Sequence, residues 1–168
     1  MIRSLVGSEM FIIDSNYEFM SECGLMLLGN ILLSQDNQPL DYRYFDSLPE
    51  VFRESALLDR FHGMIEGWLL PRINVDMALH DWTLNVEFFS GVLHHLRTES
   101  VYSQIVDEVV LVPKGADMRH TKAVKRVATA YLKLLFPHVT SVDMLNLDEF
   151  NMYCLQPAIR RRDIVREQ

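Results

Sequence analysis

From about Asp76 onward, apolar residues recur at helical spacing. Trp82, Val86, Phe89, Leu93 and Leu96 fall at alternating steps of four and three, which predicts one helix with a stripe facing a core. Asp81 precedes that stripe and is its expected N-cap. Val101–Asp107 reads as a second, short helix, and Val109–Pro113 as β-like, with a turn at Lys114-Gly115. Asp117 can cap a long helix reaching about Phe136, where Pro137 ends it. Val124, Val127, Ala128, Tyr131, Leu132 and Leu135 form its apolar face, and Arg119, Lys122, Arg126 and Lys133 share the other side. Thr140 or Ser141 can cap the next helical stretch, which Pro157 should kink or divide before a basic end at Arg160–Gln168.

The first part of the chain reads differently. Met10–Asp14 is a short apolar run and a predicted strand. Gly24–Leu33 is a longer run that suits a strand buried on both faces. Asn30 stands near its end, where open parallel α/β sheets bind ligands. The plainer reading of Asn30 is a turn residue that ends the strand. Ser34–Asp46 is a polar loop, and Ser47–Phe61 a helix with Pro49 in its first turn. Trp68-Leu69-Leu70 reads as a short strand stopped by Pro71. The pattern therefore predicts an α/β chain, mainly helical, divided into residues 1–75 and an all-helical unit, 76–168.

Composition narrows the class. An apolar share of 49% in 168 residues is that of a globular chain able to bury a core. A net charge of -7 argues against a molecule built as a whole to bind polyanions. The basic residues are nevertheless clustered at 114–133 and 160–166. Lys122, Arg126 and Lys133, with Arg119, thus support an alternative reading as a non-enzymatic DNA-binding module. Cys23 and Cys154 stand far apart in apolar settings and read as buried thiols of a reducing compartment. No run reaches the length of a membrane span and no secretory signal opens the chain, so a cytoplasmic location is expected.

Most catalytic signatures are missing from these residues. There is no GxxxxGK[ST], no GxSxG, no peptidase dyad, and no histidine spacing that fits a zinc site, so no metal is expected. Asp14 ends an apolar strand as magnesium-binding acids do, but the second acid is lacking. The residue placed to carry chemistry is Arg60, in LLDRFHGMIEGWLLPRI (57–73). A guanidinium among Leu57, Leu58 and Phe61 is costly to leave unpaired, and held rigidly it can meet a phosphate with two parallel hydrogen bonds. The competing reading is a local surface ion pair with Asp59 or Glu54.

That block resembles the signature of the Lon-like AAA+ proteins of BREX phage-defence systems, the BrxL family of ATP-dependent Lon-type proteases. MRHTKAVKRVATAYLKLLFPH (118–138), RRRDIVREQ (160–168) and GLMLLGNI (24–31) are similar to further blocks of the family, in the same order. One departure is Glu66-Gly67-Trp68, where the family tends to have Pro-Gly-Trp. The resemblance implies the last strands of an AAA+ core followed by a helical lid. It implies that Asn30 is the sensor orienting the attacking water, Arg60 an arginine finger reaching a neighbouring subunit's nucleotide, and Arg119 the lid arginine touching the γ-phosphate. It further implies ATP and magnesium as cofactors of the whole assembly, a ring-type homo-oligomer, and contact with DNA or protein substrates. With neither P-loop nor peptidase motifs, the chain is expected to be inactive alone. A pure oligomerisation module is a further alternative.

Overall fold

The computed structural model describes residues 2–6, 9–14, 17–21, 24 and 26–168, and the side chains of 24, 26–46, 48–50 and 53–168. Ile2–Val6 (β1), Glu9–Asp14 (β2) and Tyr17–Ser21 (β3) form an antiparallel sheet in the order β1-β2-β3, with a bulge between Ile2 and Ser4. β2 contains the predicted strand Met10–Asp14, and Asp14 pairs with Tyr17 across the hairpin. The gaps between these strands are too short for the crossover that parallel neighbours require, so the sheet is a meander. Cys23 lies outside the described residues.

Gly24–Leu33 is not the doubly buried strand that its apolarity predicts. Its described residues are irregular, and Met26, Leu28 and Leu32 are 71%, 87% and 77% exposed. Its one ladder contact among the described residues is an isolated antiparallel bridge between Leu33 and Pro39. The bridge closes a polar turn in which Asn37 takes φ 57, a left-handed conformation that asparagine tolerates better than most residues. An apolar run becomes a strand only when a neighbouring strand takes its backbone groups.

The predicted helix Ser47–Phe61 is broken into pieces. Two 3₁₀ turns, Tyr44–Ser47 and Glu50–Arg53, precede the single α-turn Ser55–Leu58 (α1). Leu48 is extended, as the residue before a proline prefers, and Glu54 is extended as well. Gly67–Leu69 is a 3₁₀ turn, not a strand; the Trp68 ring packs at 4.8 Å against Tyr44 instead.

The helix predicted around Trp82 begins later than expected, at Val86, and runs to Thr98 (α2). Asn85, not Asp81, caps it by accepting a hydrogen bond from the Phe88 amide at 3.0 Å. Its predicted core stripe is largely uncovered. Trp82 lies before the helix and is fully exposed, and Val86 is 76% exposed. Leu96 alone of the five packs against the core.

The core sits further on, among Val101–Val109 (α3), Met118–Leu135 (α4) and the C-terminal helical run. α4 agrees with its pattern: Asp117 accepts from the Arg119 and His120 amides, and Val124, Ala128 and Leu132 are buried. Leu135, predicted to be buried, is half exposed at its end. The final run is continuous, from Leu147–Phe150 (α5) through a π-helical turn, Asn151–Leu155, into Gln156–Arg166 (α6). The π turn lies just ahead of Pro157, whose ring and missing N–H cannot fit a regular α-ladder. Proline therefore widens the helix without dividing it. Cys154 is fully buried there, and burial pushes its thiol up to about 11, which makes it a packing residue. Among the described residues, no helix is long and apolar enough to cross a membrane.

Leu132 is fully buried between α3 and the C-terminal run. Leu132→Ala is expected to lower unfolding free energy by about 2–5 kcal/mol in denaturant titrations. The same truncation at Leu134, which is 49% exposed, should cost far less.

Candidate functional site

The residues after α1 coil tightly and then run against α4 and α6. The amides of Asp59, Arg60 and Phe61 bond back to Ser55, Leu57 and Leu58 at 3.0, 2.9 and 3.0 Å. Arg60 sits at the crest of that turn. It is half-buried, and its Nη1 donates to the Ala56 carbonyl at 3.1 Å. The next residues approach α6 closely. The Met64 amide donates to the Arg161 carbonyl at 3.1 Å, and Arg161 Nη1 returns a bond to the Met64 carbonyl at 3.2 Å. A Cβ on Gly63 would stand 3.0 Å from Arg161 Cβ, so glycine is what allows this approach.

A second arginine, buried, lies under the turn. Arg162 on α6 is 2% exposed. Its Nη1 donates to the Phe61 carbonyl at 2.5 Å and its Nη2 to the Asp59 carbonyl at 3.2 Å. The same Nη2 lies 3.7 Å from the Asp59 carboxylate. Burial pulls the Arg162 pKa down, while Asp59 and Asp117 pull it up. Its Nε is buried without a partner among the described residues.

Asp59 has a second arginine on its other oxygen. Arg119, in the first turn of α4, donates to Asp59 Oδ2 at 2.8 Å. Arg119 is thereby paired with the residue that precedes Arg60 in the chain. Asn30 is not part of this group. It is exposed on the irregular 24–33 segment, and no hydrogen bond links it to the cluster among the described residues.

The basic stripe of α4 has divergent surroundings. Arg126 Nη1 lies 2.9 Å from His62 Nε2. Arg126 is a donor only, so His62 accepts and is neutral at that nitrogen. Lys133 donates to the Arg97 carbonyl at 3.1 Å and lies 5.8 Å from the centre of the Tyr102 ring. Lys122 is exposed. The C-terminal basic cluster is also engaged internally. Arg160 pairs with Glu66 at 2.7 Å, and Arg161 Nε bonds the Tyr131 hydroxyl. Glu66 thus has a partner of its own at the position where the family tends to have proline. At the far end, the Gln168 side chain accepts from the Phe45 amide and donates to the Tyr42 carbonyl.

Sequence reasoning missed Arg162, His62 and Glu66 as parts of this cluster, and offered Asp59 only as a local partner of Arg60. Two signals pointed to them: a charge at every position of Arg160–Asp163, too dense for one solvated face, and Gly63 beside a histidine. Among the described residues, no group of histidines, cysteines and acids is arranged to hold a metal ion.

The chain matches the family model described as Lon-like protease BrxL-like, ATPase domain, over residues 5–168. It is 24% identical over 147 residues to the Lon-like protease BrxL of Escherichia coli O9:H4 (strain HS). That alignment covers 88% of this chain and 20% of the relative, so the chain spans about a fifth of that protein. No solved structure matches the chain.

Burial, with Arg126 and Arg162 nearby, lowers the His62 pKa from 6.5. The unfolded chain therefore binds this proton more readily than the folded one. The His62 contribution to stability is complete above about pH 6.5 and is lost as the pH falls toward the lower, folded value. Denaturant midpoints measured from pH 7.5 down to 5 should fall more steeply in wild type than in His62→Gln. Superimposable profiles would rule out a strained, neutral His62.

Proposed function

Because the chain belongs to the family of BrxL-like ATPase domains of Lon-like proteases, we propose that it is the sensor, arginine-finger and lid portion of a BREX-type AAA+ ATPase. Residues 1–75 are the core portion and 76–168 the lid in this reading. The observation that carries it is the Arg119–Asp59 ion pair, which ties the lid arginine to the turn that bears Arg60. A guanidinium on this turn and a second one paired to it from α4 suit a triphosphate bound between subunits, where charge spreads over the γ-phosphoryl oxygens as it transfers. Arg60 acts as the finger toward a neighbouring protomer, Arg119 binds phosphate from the lid, and Asn30 orients water. Arg119 is 66% exposed and within reach of a ligand.

ATP and magnesium belong to the assembled ATPase. These 168 residues fit the phosphate end alone, since they contain neither a P-loop sequence nor, among the described residues, an acid cluster for the metal. The exposed side chains of Met26, Leu27, Leu28 and Leu32 support a sheet completed by other residues of the assembly. A ring-type homo-oligomer, a cytoplasmic location, a Lon-like proteolytic output and a role in phage defence follow from the same reading. The internal partners of Arg126, Arg160, Arg161 and Arg162 favour it over the DNA-binding alternative.

Calorimetric titration of the chain with magnesium-ATP should give no micromolar binding; micromolar affinity would contradict the division of labour. A chimera tests the roles, with this chain replacing the matching fifth of the E. coli relative. Arg60→Ala should lower its ATP turnover about 10³-fold or more, the range for arginine fingers. Unchanged turnover would remove Arg60 from the site.

A further inference from the structure

The two arginines that hold Asp59 are engaged very differently. Arg119 meets Asp59 between side chains that are 66% and 45% exposed. Such pairs are individually weak and exchangeable. Beneath them, the guanidinium of Arg162 is 2% exposed and bonds the carbonyls of Asp59 and Phe61, the two residues flanking Arg60. A planar fork can hold two carbonyls at fixed separation, which an ammonium on a flexible stem cannot.

We propose that Arg162 is the positioning residue of the site: it fixes the backbone on both sides of Arg60, and it retains Asp59 when Arg119 exchanges that carboxylate for a phosphoryl oxygen. Release of Arg119 then costs little and leaves the Arg60 turn unchanged. The Asp59 carboxylate, losing Arg119, still has the Arg162 charge 3.7 Å away. What Arg60 and Arg119 act on rests on the proposed ATPase reading. The tie itself does not.

Amide exchange of the chain tests the tie by magnetic resonance. The reporters are the Arg60 and Phe61 amides, bonded within the turn, and the amide of fully buried Ala128 in α4 as the global reference. Arg162→Lys should accelerate exchange at Arg60 and Phe61 by about tenfold or more, with Ala128 changed less than about twofold. Uniform acceleration, or none, would overturn the proposal. Asp59→Asn keeps the Asp59 carbonyl and provides an independent measurement should Arg162→Lys fail to fold. It should mobilise the Arg119 side chain, seen in its Nε–H signal, and leave the Arg60 amide within about twofold of wild type. Equal loosening at Arg60 would assign the turn to the carboxylate and sink the role of Arg162. In the chimera, Arg162→Lys should reduce kcat with little change in KM for ATP. Exchange results as expected, together with full turnover by Arg60→Ala, would leave the tie standing and remove the ATPase role.

Discussion

A guanidinium cannot be left inside a protein without compensation, and Arg162 is inside this one. Removing an ion from water costs several kcal/mol even after relaxation. The compensation comes from a single stretch: the carbonyls of Asp59 and Phe61 and the Asp59 carboxylate. That requirement fixes the path of the chain after α1. With Asp59 and Phe61 drawn onto α6, His62 falls against Arg126, Gly63 against Arg161, and Glu66 against Arg160. Arg60, whose Nη1 bonds the Ala56 carbonyl, is placed by what happens to its two neighbours.

What was legible in the sequence was local. α4 could be read because its signals lie within its own residues: Asp117 caps it, the apolar positions repeat at helical spacing, and Pro137 follows its end. α3 was legible over Val101–Asp107, although it continues to Val109, which the pattern puts in a β-like stretch. Asp59 and Arg162 are 103 positions apart and Phe61 and Arg162 101, so no periodicity joins them. The pairing requires α6 to lie alongside the turn, which depends on the packing of Ala158 and Ile159 in the helical core. Apolarity misled where it was read as burial. The runs Gly24–Leu33 and Trp82–Leu96 are apolar enough for a core, yet Leu28, Trp82 and Val86 are uncovered. Among the prolines, Pro137 marked the end of α4, Pro49 did not open the helix predicted for Ser47–Phe61, and the effect of Pro157 was softened by the π turn.

Packing is accordingly uneven along the chain. From α3 to α6 the fold has a continuous core. Between Leu69 and Phe88, by contrast, Ile73, Val75, Leu79 and Trp82 gain little from it, with exposures of 93%, 86%, 77% and 102%. Single exposed apolar residues are ordinary; a succession of them is not. Within the proposed assembly, these side chains and those of Met26, Leu27, Leu28 and Leu32 meet surfaces that the helical unit does not provide. The arginine cluster lies where the two regimes join, supported by the dense side.

That location bears on the competing account of Arg60 as half of a local ion pair. Asp59, one of its two proposed partners, is engaged by Arg119 on one oxygen and approached by Arg162 on the other. A surface pair formed for stability would need no buried cation beneath it, since exposed pairs contribute at most about 1 kcal/mol. Burying Arg162 under the turn is an expensive arrangement for so small a return. It is better explained by the need to hold Arg60 and Asp59 in one geometry while a more exposed arginine changes partners. A surface ion pair would survive a loosely held turn, whereas two guanidinia meeting the same phosphoryl group would not.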